Sequence, residues 1–200
     1  GQGNPCKYSE LNDICSSYSL DLIQDASQAF GAKYADSYCG SQGIISAISH
    51  NPMKVFCGLG EAGSVFTDSQ NDYEIANYLR YNGTINKEFL KEPSLNFRMD
   101  ALQASFLSGR LDICLKNIQR RNDIASFYDK ALSEVGDLVL PQTTKNSTRV
   151  FYTYTILTNS RNELSKHLSN LGIENKIQHP LLMSQQDPYI HCKSSTTQAE

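Results

Sequence analysis

The chain has 200 residues, 40% hydrophobic and 20% charged, enough for one ordinary core with a smaller unit attached. Its net charge is −3 and its basic residues are scattered apart from the pair Arg120 and Arg121, so it lacks the basic stripe a phosphate backbone requires, and nucleic acid is not expected as a partner. No apolar stretch approaches the roughly 20 residues that cross a bilayer, and the opening GQGNPCKYSE has neither the charged nor the apolar region of a signal peptide, so a cytoplasmic protein without a membrane partner is expected.

Taken in chain order, Tyr8 to Tyr18 has the pattern of a short helix, and Leu20 to Ile23 is an apolar run that ends at Gln24 and Asp25. A carboxylate there sits at a strand's C-terminal end, where open α/β sheets gather their ligands. Ile44 to Ile48 is a second β-branched run, followed by a polar turn carrying Lys54; Gly58 to Gly63 then bends the chain into a third, Ser64 to Thr67. Asp72 to Arg80 has helical spacing, and Tyr81 to Leu95 reads as a polar loop. From Met99 to Val135 the apolar positions, among them Leu102, Leu107, Cys114, Ile118, Phe127 and Leu132, recur mostly at three- and four-residue intervals, which predicts a long helix whose stripe is core or interface. Gly136 closes it, and TTKNST is a loop. Arg149 to Thr158 is rich in β-branched and aromatic residues and is predicted as a strand; Asn162 to Leu171 is a helix capped by Gly172, and a further strand, helix and strand are expected to end a small α+β unit. The six cysteines show no CxxC pair and are expected to be reduced, the sequons at Asn82 and Asn146 are read as chance, and no metal cluster is evident.

Lys54 carries the most chemistry. An amine attacks a carbonyl only when unprotonated, and a lysine between an apolar run and a glycine-rich turn has a setting in which that is possible. Read without context it is a solvated surface lysine, and Asp25 is a helix cap after a strand.

The segments LIQDASQAFGA, GSQGIISAISHNPMK, GLGEAGSVFTD, NFRMDALQASFL with RRNDIASFYDKAL, and LGIENKIQHPLL lie in this order along nearly the whole chain. Together they resemble the DegT/DnrJ (StrS-type) family of nucleotide-sugar aminotransferases, pyridoxal-phosphate enzymes of fold type I. The resemblance implies an α/β fold: the C-terminal part of a large α/β/α cofactor-binding domain over residues 1–140, with the long connecting helix, and an incomplete small α+β domain over residues 141–200. It also implies pyridoxal 5'-phosphate as cofactor. Lys54 then matches the lysine that bonds to the cofactor and later shuttles a proton, and Asp25 the carboxylate paired with the pyridine nitrogen, which needs an anionic partner if the ring is to act as an electron sink. Gln28 matches a glutamine near the ring, Ser49 a serine bonded to the cofactor phosphate, and Asn96 an asparagine reaching the phosphate of the neighbouring subunit's cofactor, which implies a homodimer with shared sites. Outside the resemblance Gln28, Ser49 and Asn96 read as ordinary polar turn or element-terminal residues. Arg98 is either a structural ion-pair partner or a sugar-nucleotide contact, and His179 either approaches the sugar or is structural.

The chain departs from the family pattern at Gly43-Ile44, His50, Ala62 and Met183-Ser184. Family members also begin well before this chain's first residue and continue beyond its last, so it is expected to be an internal fragment. The implied reaction moves an amino group from an amino acid such as glutamate to a nucleotide-diphosphate keto-sugar, for amino-sugar and polysaccharide biosynthesis. Lysine at position 54 argues against the family's dehydratase branch, which carries histidine there. The alternative expectation is a catalytically silent remnant or regulatory subunit that keeps the fold.

Overall fold

In the computed structural model, which describes residues 2–193 and residue 195, α1 (Tyr8–Tyr18) leads into β1 (Ile23–Asp25), β2 (Lys33–Tyr34), β3 (Ser37–Tyr38), β4 (Ile45–Ser49) and β5 (Gly63–Phe66). There follow α2 (Gln70–Leu79), β6 (Thr84–Ile85), β7 (Phe89–Leu90), α3 (Ala101–Leu132), β8 (Ser147–Thr148) and α4 (Arg161–Asn170), then short 3-10 turns at Met183–Gln185 and Asp187–Tyr189. The chain divides into two units, Gly1–Ile156 and Leu157–Glu200. Residues 141–156 belong to the first because β8 pairs antiparallel with β2, with Thr148 opposite Lys33.

The sheet that positions the site has the order β1-β4-β5. β1 and β4 run parallel with Asp25 opposite Ala47, and β4 and β5 antiparallel with Ser49 opposite Gly63. Along β4 Ser46 and Ile48 are buried while Ala47 between them is exposed, as the two-residue period of a strand dictates. Their face joins a core of Tyr8, Ala26, Ala32, Cys39, Ile48 and Val150. Buried Gln24 has its amide satisfied within that core: Oε1 accepts from Gly40 N at 2.8 Å and Gln42 N at 3.2 Å, and Nε2 bonds the Tyr8 hydroxyl. A second cluster, Phe56, Leu107 and Cys114, packs α3 beneath the segment that follows Lys54. Val55 and Ile118 touch both clusters, so the residue after the lysine is fastened to both.

The helices fall where periodicity predicts them. α2 begins at a Ser69 cap whose hydroxyl accepts from Asp72 N at 3.2 Å, and Asp72 adds a negative charge to the first turn. α3 runs 32 residues, about 48 Å at 1.5 Å per residue. Within it Leu107, Cys114 and Ala125 are buried, whereas Leu102 is 80% and Phe127 68% exposed.

Two stretches differ from the sequence reading. Tyr81 to Leu95 holds the hairpin β6-β7, with Thr84 opposite Leu90, turning through Asn86 and Lys87 at φ of 53° and 62°. The left-handed turn supplies what a two-residue Asn-Gly signal would otherwise announce, and with lysine in second place that signal is absent. Arg149 to Thr158 is not a regular strand among the described residues: it bends at Tyr152 and Thr153, and its backbone groups find other partners, Val150 N donating to Gly3 O at 3.0 Å and Arg121 Nη1 to Phe151 O at 3.0 Å. β-favouring composition makes a strand only where a neighbour offers a ladder. In the second unit α4 is followed, among the described residues, by the two 3-10 turns in place of the expected strands.

Candidate active site

Asp25 ends β1 and Ser49 ends β4, so two expected site residues leave the sheet at the same end of adjacent parallel strands. Asp25 Oδ1 accepts from Ser27 N at 2.9 Å. Hydrogen bonds from the Ser27 hydroxyl and backbone, with the Lys54 charge adding to them, hold the Asp25 carboxyl below the usual carboxylate range. Gln28, one turn on, accepts through Oε1 from Gln2 N at 2.6 Å. Asp25 and Ser49 leave the sheet at the end where the turn bearing Lys54 begins, and the Lys54 charge is felt by the Asp25 carboxylate.

Asn51 organises the lysine turn, and the sequence reading passed over it. Its N–H donates to Ser49 Oγ at 3.3 Å, its Oδ1 accepts from Met53 N at 2.8 Å, its carbonyl accepts from Lys54 N at 2.9 Å, and its Nδ2 donates to Glu61 Oε1 at 2.5 Å. An Asn-Pro pair, here Asn51-Pro52, is a turn-initiating signal whose side chain bonds the backbone two residues on, so the feature was legible in principle. Lys54 emerges half-buried from this turn with its Nζ 5.0 Å from the centre of the Tyr152 ring. No local sequence signal couples residues so far apart, and Tyr152 was missed for that reason.

His50, a departure from the family pattern, is buried where an aromatic would fit. It meets Phe30 and Phe56 edge-on, with ring centroids at 6.4 and 5.2 Å. Its Nδ1 faces Phe56 O at 3.1 Å and its Nε2 faces Ser64 Oγ at 2.8 Å. A carbonyl only accepts, so Nδ1 carries the hydrogen, and in the neutral ring the Ser64 hydroxyl donates to Nε2. The imidazole thus ties β4 to β5 under the turn, with Gly58 N closing onto His50 O at 2.7 Å.

Asn96 and Arg98 lie elsewhere, beside the hairpin. Asn96 bridges Tyr81, and its Oδ1 accepts from Arg98 N at 3.3 Å and Arg98 Nε at 3.1 Å; the guanidinium lies 4.2 Å from the Tyr81 ring centre. Both side chains are exposed. Among the described residues the ion pair formed is Lys7–Glu10, so Arg98 is not a structural ion-pair partner there. His179, in the second unit, is exposed with φ 50° and has Nε2 3.3 Å from Gln178 Nε2. The described residues contain no His/Cys/Asp/Glu cluster fit to hold a metal, and all six cysteines are free.

The sequence profile of the DegT/DnrJ/EryC1/StrS aminotransferase family matches residues 2–200. The chain belongs to this family. It is 28% identical over 187 residues to the UDP-2-acetamido-2-deoxy-3-oxo-D-glucuronate aminotransferase of Pseudomonas aeruginosa, covering 92% of this chain and 51% of that enzyme. Against the dTDP-3-amino-3,4,6-trideoxy-alpha-D-glucose transaminase of Streptomyces venezuelae it is 29% identical, covering 90% and 47%. Among solved structures it is similar to DesV from S. venezuelae in complex with a ketimine intermediate, at a TM-score of 0.93 and 27% identity over 97% of this chain and 52% of that one, and to a DegT/DnrJ/EryC1/StrS aminotransferase from Brucella abortus, at 0.88 and 25% over 94% and 50%. The fold is thus the α/β fold of fold type I sugar aminotransferases, and the chain spans about half the length of the family members it matches.

Proposed function

We propose that this chain carries the lysine-bearing part of a pyridoxal 5'-phosphate-dependent aminotransferase that moves an amino group from an amino acid, glutamate in our reading, to the keto group of a nucleotide-diphosphate sugar. The observation that carries the proposal is the meeting at one sheet end of an amine on a pinned turn, Lys54, with a carboxylate held ionised, Asp25. That donor set fits the cofactor: an anion suits a pyridinium nitrogen, and an amine suits an aldehyde. Pyridoxal phosphate, when bound, supplies a carbonyl carbon and an electron-withdrawing ring.

The rest is the work of the chain's own residues. Lys54 Nζ, once unprotonated, would be the nucleophile that holds the cofactor through its carbonyl carbon, the carbonyl oxygen leaving as water, and as a free amine it would take up and return a proton. Asp25 would pair as an anion with the ring nitrogen, and its Ser27 hydrogen bonds hold the carboxyl below the usual carboxylate range. Ser49, whose Oγ already accepts from Asn51 N, has its hydroxyl hydrogen to give to a phosphate oxygen. In this reading Gln28 lies beside the ring, Asn96 reaches the site of a second copy in a homodimer, and Arg98 and His179 meet the sugar nucleotide. The relatives named above act on UDP- and dTDP-sugars, which supports a nucleotide sugar as acceptor. No helix of the described residues is long and apolar enough to cross a membrane, and we place the reaction in the cytoplasm.

Titrating the chain with pyridoxal phosphate tests this reading. A borohydride-reducible absorbance band is expected, with the label recovered on the Lys54 peptide and lost completely in Lys54→Ala. A band that persists in that variant, or none at saturating cofactor, rejects it.

A further inference from the structure

We propose that Tyr152 is a positioning residue for Lys54: its ring face seats the ammonium and so sets how readily the amine is released to attack a carbonyl. The inference rests on the reading of Lys54 as the reacting amine. Its first support is distance, since 5.0 Å from Nζ to ring centre lies inside the roughly 6 Å over which a cation is drawn to an aromatic face. Both residues are half-buried, so water screens the attraction only in part.

Backbone strain supplies the second support. Phe151, next to Tyr152, is held at φ 45°, a conformation costly for a bulky residue that persists where the surroundings over-determine it. Those surroundings are on hand. Val150 is fully buried, Phe151 stacks on Tyr154 at 5.9 Å and lies under the Arg149 guanidinium at 4.3 Å, and Arg121 Nη1 donates to its carbonyl. The kink sends Phe151 into the core and lets the next residue meet Lys54.

Packing against the Asp25–Gln28 turn is the third. Gly3 fills the gap between the two segments so tightly that an added Cβ would lie 2.7 Å from Val150 Cγ2, 3.0 Å from Tyr152 N and 3.1 Å from Gln28 O. Tyr152 therefore stands on the same wall as Asp25, whose carboxylate feels the Lys54 charge. The ammonium is attracted by a carboxylate and by a ring face, and it must leave the ring to react.

The test needs no cofactor. The 200-residue chain is labelled with an amine-reactive N-hydroxysuccinimide ester at fixed pH, and labelling of the Lys54 peptide is followed by mass spectrometry relative to Lys166 in the second unit. Tyr152→Leu removes the ring and is expected to speed Lys54 labelling about two- to fivefold. Tyr152→Phe keeps the face and leaves the rate at the parent value, and Tyr152→Trp, with the strongest face, slows it. Lys33, which sits over Tyr38 at 4.4 Å, reports on the fold. Should Tyr152→Leu speed Lys33 as well, the order Trp slower than Phe decides. An unchanged rate in an intact Tyr152→Leu chain, or Phe as fast as Leu, overturns the proposal. A chain that gives the ring-ordered rates yet forms no band with pyridoxal phosphate refutes the enzymatic reading and leaves the Tyr152 seat standing.

Discussion

The Lys54 turn and the Asn96–Arg98 segment are matched to one family's site by the same resemblance, yet they are built in opposite ways. Around Lys54 the turn is held from within: Asn51 ties Ser49, Met53, Lys54 and Glu61 together, and Val55 is locked into two apolar clusters. Asn96 and Arg98 are exposed, bonded chiefly to each other and to Tyr81. An amine that must meet a carbon atom at bonding distance benefits from a fixed turn. Side chains meant for a surface contributed from elsewhere keep their donors facing outward, as the proposed shared site of a homodimer would require.

Two glycines allow each side to be broken alone. Gly83, at φ 70°, would carry a Cβ 1.5 Å from Glu92 O, and Gly43, at φ 78°, one 2.2 Å from Leu22 O. Gly83→Ala and Gly43→Ala are each expected to cost about 2–3 kcal/mol in urea unfolding. Hydrogen exchange should show the first loosening the hairpin and Asn96 while sparing β4, and the second freeing β1 from β4 while sparing the hairpin. Loss of protection in both regions from either change would mean they are not independent.

Alkaline pH should sharpen the contrast. Burial pushes the Cys114 thiol up to about 11, from an ordinary value of 9.0. Its protonated form is therefore favoured by folding: the stability it contributes is complete below pH 9 and is lost as pH rises toward 11, on the order of 2 kcal/mol. Since Cys114 Sγ donates to Val55 O at 3.6 Å, the Lys54 side should weaken first, and urea midpoints in Cys114→Ala should lose this slope. Asn51→Ala removes the hub and should cost about 1 kcal/mol, with faster exchange at the Met53 and Lys54 amides. Arg98→Ala should change stability by less than about 0.5 kcal/mol, because the arginine is exposed and its partners are a nearby side chain and one half-buried ring.

The sequence made some of this readable and left the rest hidden. Helices α1, α2, α3 and α4 and strands β1, β4 and β5 were legible because their apolar periods are strong, and Asp25 and Ser49 could be placed at strand ends from those runs. Residues 81–95 hid a hairpin because its turn lacks glycine in the expected place. Residues 149–158 read as a strand because composition reports what a segment favours, not whether a ladder lies beside it. His50 looked like a flaw in the motif, and only packing shows it filling an aromatic's place with both nitrogens bonded. Tyr152 reaches Lys54 through the fold alone.

Gln103, in the first turn of α3, accepts from Leu59 N at 2.8 Å. The glycine-rich turn after Lys54 is thereby hooked to the head of a rod about 48 Å long, and the Asn96–Arg98 segment is the strap leading into that head. The Arg98 segment and the turn bearing the amine are thus moored at the same helix end, one through the chain and the other through a single side-chain hydrogen bond.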